Sequence, residues 1–529
     1  MRYTLVIFWI LLLVPSIVVP IFEISDNFNY RSIAYVKYYQ SWNKLPLFKN
    51  TDFTTAIGGG ARVHPLHELF FRITELVLNL DATFIQFLPL GIVIVLVYYI
   101  TLKRIMPSTK LIYIALFHIS YSIFQAPIAG TYIQTFGYVY LLSIMFFLYV
   151  MFKAQSLSFL PLTILTIVAL NFMYYTNMVI VALLVFSLTC IFLIMEFKQK
   201  GKSFSYYRKI TFFLFTITII LFIYNHIVYS SLLKLLRSNI EEYIAYALKL
   251  YSSKILGLIS KDHLTKEAPS TTFEYVMPIN FAYSIMNMLR VFVLLGLFSY
   301  ITFKMTKKLL VEVMREKSIN LTMEETFLIG LIFAILISTF IYLFYGGYFR
   351  FGSLIYVGII GILMFIKMVR SSNMKLATFF AFTFLLVSIV SCVMFIIFLY
   401  EDKVVKIPFS YREAYNAAYF IVEHEYHARS LRILSDFRTS SIYMVLLAKH
   451  GIILKPLYFD SSIYRALVKG SLNMDIVDYI IINVKLKYYP ISSILWRYYE
   501  PIAKYLYAIS DAYNILYANN IIILLKPLY

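Results

Sequence analysis

Runs of about twenty consecutive apolar residues recur along this chain, and they constrain its fold more than any other feature. A helix needs about 20 such residues to cross a bilayer, and about eleven runs qualify. They lie near 3–22, 84–102, 111–128, 132–151, 158–174, 177–197, 210–230, 284–303, 326–346, 351–369 and 376–400. Charged residues make up 14% of the chain, against roughly 25% in a soluble globular protein. The first run is too long for a signal-peptide core and lacks a small-residue cleavage site, so a retained membrane helix is expected. Cys190 and Cys392 both sit inside apolar runs, which excludes a disulfide framework and a thiolate metal site.

The formal charge of +20 raises the question of nucleic acid, and its distribution answers it. Loops carrying LKRIMPSTK (102–110), FKQKGKSFSYYRK (197–209), FKMTKKLLVEVMREK (303–317) and KMVRSSNMK (367–375) alternate with loops that hold almost no cation. Placing the basic loops inside puts roughly eighteen cations on the cytoplasmic face, as the positive-inside rule requires. The opposite short loops, near 129–131, 174–176 and 346–350, then contribute only Arg350. Three long polar segments, 23–83, 231–283 and 401–529, fall outside and are close to charge-balanced. The positive excess is a topology signal, and no nucleic-acid partner is expected. The N-terminus is expected in the cytoplasm.

The first outer segment has internal order. In HPLHELFFRITELVLNL (64–80) the apolar residues Leu66, Leu69, Phe70, Ile73, Leu76, Val77 and Leu80 follow helical spacing, with Pro65 suited to the first turn. His67, Glu68, Arg72, Glu75 and Asn79 fall largely on the other side, so a helix lying flat on the membrane surface is predicted. YRSIAYVKYYQSW (30–42) reads as a weaker second helix, and TDFTTAIGGGARVHP between them as a glycine-rich loop that approaches something closely. After residue 400, SYREAYNAAYFIVEHEY reads as helix, LRILSD as strand, and TSSIYMVLLAKHG as a helix ending at Gly451. IILKPLYF and DYIIINVKL read as strands, ISSILWRYYEPIAKYLYAIS as helix, and NILYANNIIILLKPL as a hairpin turning at 518–520. The expected fold is mainly α, a polytopic membrane protein with a small extracytoplasmic α/β domain at 401–529 following a transmembrane domain at 1–400.

No P-loop, GxGxxG, HExxH or GxSxG stands where it would carry chemistry. What remains are polar residues expected at the outer membrane face. In EISDNFNY (23–30), Asp26 follows the first apolar run where water begins. Two readings stand for it: the solvated end of a helix, or a carboxylate that takes a proton from a sugar hydroxyl. Arg290 interrupts SIMNMLRVFVLLGLF below the outer surface, where it either snorkels outward or holds an anionic head group. Arg350 in YGGYFRFGS, with Arg62 and His64, has the guanidinium chemistry to gather a phosphate. The buried polar residues His118, Gln125, Asn171, Asn225 and His226 read as hydrogen bonds between helices. His64, His67 and Glu68 invite a metal, but such spacing arises by chance at a helix start. A divalent cation (Mg or Mn) held mainly by carboxylates would use Asp26 and Asp52.

On these stretches the chain resembles the membrane glycosyltransferases of the GT-C fold, a superfamily that includes oligosaccharyltransferase catalytic subunits, protein O-mannosyltransferases and aminoarabinose transferases. EISDNFNYRSIAYVKYYQSWNKLPLF looks like their first-loop motif, which implies that Asp26 matches the essential aspartate and groups Tyr30 with the substrate-binding residues. TDFTTAIGGGARVHPLHELF is similar to the segment that follows, an aspartate (Asp52), a glycine-rich turn and X-Pro-Leu before a helix. YFRFGSLIYVGII resembles the Arg-aromatic opening of a late helix, implying a lipid-phosphate role for Arg350. The likeness covers the whole architecture, including a 231–283 loop over the active cavity. The chain departs from it at two places. The tryptophan-tryptophan-aspartate signature is absent from 401–529, and APIAGTYIQTFG (126–137) lacks the second acidic motif, which counts against asparagine-glycan transfer and against a divalent cation.

The resemblance implies an inverting glycosyltransferase at the outer face, taking a sugar from a polyprenyl-phosphate-linked donor to a hydroxyl of a protein, glycan or lipid acceptor. Asp26 would be its general base, with Arg350, Arg290 or Arg62 on the departing phosphate. Two other classes compete: a transporter or flippase of lipid-linked sugars, and a non-catalytic membrane protein of surface assembly. A transporter of this size typically shows repeats and paired broken helices, which this chain lacks. The missing second acidic motif is what favours the non-catalytic class.

Overall fold

The computed structural model of the chain describes residues 27–39, 65–81, 85, 91–107, 110–116, 133–174, 177–199, 202–228, 274–276, 280–314, 321–344, 351–370, 372–405, 411–425, 427–435, 437–458, 477–483, 489–490, 497–499, 513–518 and 522–527. Contacts divide the chain into two units. One takes Met1–Phe22, Phe87–Leu258 and Met286–Phe395, and the other takes Glu23–Gln86, Ile259–Ile285 and Ile396–Tyr529.

The first unit is a helical bundle. Its described helices are α3 (Gly91–Ile105), α4 (Ile133–Ala154), α5 (Leu160–Tyr174), α6 (Met178–Gln199), α7 (Lys202–Val228), α8 (Asn280–Met314), α9 (Met323–Phe344), α10 (Phe351–Arg370) and α11 (Met374–Val405), of which α8 up to Ile285 and α11 from Ile396 are assigned to the second unit. Among the described residues five stretches are long and apolar enough to cross a membrane: Phe136–Ala154, Leu157–Tyr174, Met178–Lys198, Phe204–Tyr224 and Met323–Ile341. Helices α3, α8, α10 and α11 fall on further apolar runs of the sequence. With 32 residues, α11 is about 48 Å long, well beyond the roughly 30 Å of a hydrocarbon core. The core is one continuous apolar cluster drawn chiefly from α3, α4, α6, α9 and α10. Large apolar side chains such as Phe186, Phe212, Phe213 and Phe382 are exposed, as befits helices bathed in lipid. Close helix contact needs glycine at two points. A Cβ on Gly330 would stand 2.8 Å from Leu188 Cδ2, and one on Gly137 would stand 2.6 Å from Tyr174 Cδ1.

Helix ends follow local chemistry. Thr322 and Glu325 form a reciprocal capping box at the start of α9: Glu325 N donates to Thr322 Oγ1 at 3.2 Å, and Thr322 N donates to Glu325 Oε2 at 3.0 Å. Asn373 Oδ1 accepts from Leu376 N at 3.0 Å and starts α11.

The second unit joins three distant stretches of chain. Helices α1 (Asn27–Tyr38) and α2 (Pro65–Leu78) come from the first polar segment, and strand β1 (Glu274–Val276) from the second. The third supplies α12 (Tyr411–His424), β2 (Ser430–Ser435), α13 (Phe437–Ala448), β3 (Ile453–Tyr458), β4 (Tyr479–Asn483), β5 (Tyr489–Pro490), β6 (Arg497–Tyr499), β7 (Tyr513–Ala518) and β8 (Ile522–Pro527). Five strands form a sheet of order β3-β2-β4-β8-β7, in which β2 pairs in parallel with β3 and β4 while β8 runs antiparallel to β4 and β7. The β2–α13–β3 stretch is a βαβ unit, the arrangement a parallel pair requires. The hairpin read at 518–520 is the β7–β8 pair.

Residues 442–448 of α13 are all buried, so this helix is covered on every side. It ends in a Schellman motif on Gly451 (φ 75°), with Ile452 N donating to Leu447 O and Gly451 N to Ala448 O, both at 3.1 Å. A second, three-stranded sheet has order β1-β6-β5, Glu274 to Val276 pairing antiparallel with Tyr499 to Arg497. The helix expected across ISSILWRYYEPIAKYLYAIS is therefore corrected at 497–499, where β6 pairs with a strand more than two hundred residues earlier.

Candidate functional site

Asp26, Asp52, Arg62, His64 and Arg350 lie outside the described residues. Tyr30 and Arg290 stand on α1 and α8, and of these two the backbone alone is described. In the chain, Asp26, His64 and Arg350 each immediately precede the first residue of a helix, α1, α2 and α10 respectively. Each of those three helices is positioned within its own unit.

Helix α1 is clasped. Ile33, Ala34, Tyr35 and Val36 are all buried, and four successive helical residues sweep about 300° of the helix surface, so α1 is covered all round there. It packs against α2 and α13. Charge then fixes its C-terminal turn. Lys37 Nζ pairs with the Glu75 carboxylate of α2, and lies 3.2 Å from Asp81 Oδ2. Glu75 also accepts from Arg72 at 3.0 Å, and Asp81 receives Lys449, just past α13, at 3.3 Å. Five charged side chains from three parts of the chain thus make one partly buried network, in which a reduced dielectric makes each pairing stronger than at a free surface. The network holds the C-terminal end of α1 against α2 and the end of α13.

α2 turns out to be oriented opposite to the usual amphipathic arrangement. His67 and Glu68, expected on a water-facing side, are 0% and 3% exposed, with the His67 ring 4.9 Å from that of Phe71. On the same inner side, Glu75 meets Lys37 of α1.

Near the start of α10, Tyr356 meets two other buried phenols, its ring centroid 5.6 Å from Tyr98 of α3 and 4.6 Å from Tyr138 of α4. Three tyrosines inside an apolar bundle bring hydroxyls to a place where aliphatic side chains would otherwise pack, two turns along α10 from Arg350.

The bundle carries a separate polar knot. Glu324 Oε1 accepts from Tyr149 Oη at 2.9 Å, Lys153 Nζ at 3.2 Å and Lys367 Nζ at 2.7 Å, and Lys367 also donates to the Ile105 carbonyl at 2.9 Å. One carboxylate and one ammonium thereby tie α3, α4, α9 and α10 together. Lys308 of α8 pairs with Glu325 beside it, and Arg208 of α7 with Glu196 of α6 at 2.6 Å. These residues did not stand out in the sequence, although Thr322-x-x-Glu325 before an apolar run is a readable capping signal.

In the sheet of the second unit, burial pushes the Asp478 carboxyl up, but hydrogen bonds from the Arg432 side chain and backbone N, both 2.7 Å, with the guanidinium charge, bring it net below the usual range. Burial drives the Tyr443 phenol of α13 well above its ordinary value. Glu425 accepts from Tyr479 Oη at 2.6 Å and Lys526 at 3.3 Å, joining the end of α12 to β4 and β8. Among the described residues no three His, Cys, Asp or Glu side chains gather as metal ligands.

No protein-family model matches the chain, and no curated protein matches it.

Proposed function

We propose that this chain is a multi-pass glycosyltransferase of GT-C type with about eleven spans, an N-terminus in the cytoplasm and its α/β domain outside. It transfers a sugar from a polyprenyl-phosphate-linked donor to an acceptor hydroxyl at the outer face of the cell membrane. Asp26 takes the hydroxyl proton as the oxygen attacks the anomeric carbon with inversion, and the lipid phosphate leaves with the electron pair of the broken bond. Arg350, with Arg290 and Arg62, neutralises that leaving phosphate; Asp52, His64 and Tyr30 complete the donor and acceptor contacts.

One observation carries the reading. All three polar segments assigned from charge to one side of the membrane contribute residues to a single compact unit, although 231–258 falls in the other, and this supports a shared aqueous compartment. Within it, α1 is held by α2 and α13 so that the chain leaves Asp26 into a fixed helix. A loop carrying a general base needs that kind of support, because small displacements of a catalytic group cost orders of magnitude in rate.

The test is transfer in purified, lipid-reconstituted protein, with polyprenyl-phosphate sugars as donors and a panel of hydroxyl acceptors. Asp26→Asn is expected to lower the transfer rate by about 10²–10⁴-fold. Normal transfer by Asp26→Asn would overturn the assignment of the base. Sugar flux across proteoliposomes without transfer would replace the enzyme by a transporter.

A further inference from the structure

The five-stranded sheet changes its direction of winding at β2. This strand lies between β3 and β4 and runs parallel to both. The chain leaves it through α13 toward β3, then comes back to β4 on its other side. In open α/β sheets, ligands bind in the crevice outside the carboxyl ends of the strands at such a reversal. Here that is the junction where β2 ends at Ser435 and α13 begins at Phe437.

The junction gathers hydrogen-bond donors. The first turn of a helix presents N–H groups that no helical carbonyl accepts, at the positive end of its dipole. Ser435, Thr439 and Ser440 are wholly buried there, the Ser435 and Ser440 hydroxyls bonded to each other. Tyr443 is the observation that points to a ligand. Its side chain is wholly buried, and its hydroxyl has no hydrogen-bonding partner among the described residues. It stands four and three residues after Thr439 and Ser440, and helical side chains lean toward the N-terminus, so the phenol is carried back over the first turn. The phenol of Tyr517 acts on it electrostatically. Tyr517 opposes Leu524, which opposes Ile481, one residue beyond the partner of Leu434, so this phenol too lies at the carboxyl end of the parallel strands. Leaving a buried O–H unpaired is costly, and phenylalanine would fill the same space without that cost.

We propose that the β2–α13 junction binds a phosphate group, free or carried as a phosphomonoester, with the first-turn N–H groups and the Tyr443 hydroxyl donating to its oxygens. A helix N-terminus favours an anion over a cation. The donors come along the helix axis and from its flank, which tetrahedral oxygens meet more completely than a planar carboxylate does. Asp436 and Arg438 cancel in formal charge, so the attraction rests on the helix dipole and the hydroxyl. The inference is independent of sugar transfer.

The experiment uses the full chain in lipid nanodiscs, with radiolabelled inorganic phosphate at equilibrium and hydrogen exchange with and without it. Saturable binding is expected, with slowed exchange in the first turn of α13. Tyr443→Phe should weaken that binding about tenfold and leave thermal stability unchanged or raised, since the lost hydroxyl has no described partner. Asp436→Asn, which removes a negative charge one residue before the helix, should tighten it. Competition with glucose 1-phosphate separates the sources: displacement at lower concentration than inorganic phosphate assigns a phosphomonoester, and weaker displacement assigns the free ion. Unslowed exchange in the first turn of α13 overturns the inference, as does wild-type affinity in Tyr443→Phe. A lower melting temperature in Tyr443→Phe overturns it as well, by giving the hydroxyl a structural role.

Discussion

The two units both use lysine–carboxylate pairs to join distant pieces of chain, but they spend the charge in opposite places. In the bundle, Glu324, Lys367 and Lys153 sit at the ends of helices whose sides are apolar, so the charges fasten a structure that lipid-compatible packing already shapes. In the second unit, Lys37, Glu75, Asp81 and Lys449 lie between elements, filling an interface where another protein would place leucines. The sheet and α13 hold that unit's apolar core, to which α1 adds Ile33, Ala34, Tyr35 and Val36, and ion pairs tie α1, α2 and the end of α13 together beside it. The lesson is that an amphipathic helix settles its polar face where the partners are, and its apolar face takes what remains.

If the units are energetically separate, a cavity in the sheet should stay local. Ile433→Ala, in the fully buried centre of β2, is expected to destabilise the second unit by about 2–5 kcal/mol. Hydrogen exchange should then accelerate in β2, β4 and α13 and stay unchanged in α6 and α9; equal acceleration in both would dissolve the distinction. Glu324→Ala asks the mirror question of the bundle. It leaves Lys367 with the Ile105 carbonyl and removes the acceptor of Tyr149, a loss of about 2–3 kcal/mol that should appear as faster exchange at the joined ends of α4, α9 and α10.

Packing is tested by Gly330→Val, which drives a side chain into Leu188 and should cost about 1–3 kcal/mol in thermal stability. Adding Leu188→Ala should recover part of that loss, as expected for coupled neighbours. The smallest effect is expected of Asp478→Asn, about 0.5–1 kcal/mol at neutral pH for a pair this exposed. Because the folded carboxyl titrates below the unfolded one, its contribution is present above about pH 4 and disappears as pH falls through the lower, folded value. Acid denaturation should separate wild type from variant above that window and bring them together below it.

The helices of the bundle were readable because a span must be uniformly apolar, and the strands at 430–435, 453–458 and 479–483 because short apolar runs there are bounded by turns. The Gly451 terminus was readable for a similar reason, a left-handed cap being a local demand. What depended on distant partners was hidden. RYY at 497–499 pairs with 274–276, and no local pattern announces that register. Helical spacing identified the two faces of α2, but the burial of His67 and Glu68 depends on tertiary neighbours that no local pattern shows. Of the residues assigned to sugar transfer, Tyr30 and Arg290 fall on described helices and the others outside the described residues.

Asp81 and Lys449 are 368 positions apart, and their pairing sets a timetable for biosynthesis. At about 5–20 residues per second the ribosome needs on the order of tens of seconds between making one and making the other. Through that interval α1 and α2 exist without α13: Lys37 has Glu75 and Asp81 to meet, but Lys449 is missing and the apolar side chains of α1 lack their cover. A nascent chain of this kind is exposed to proteases and chaperones for as long as its last quarter is unwritten, and a stop codon placed before residue 449 should leave its beginning as orphaned as its end is missing.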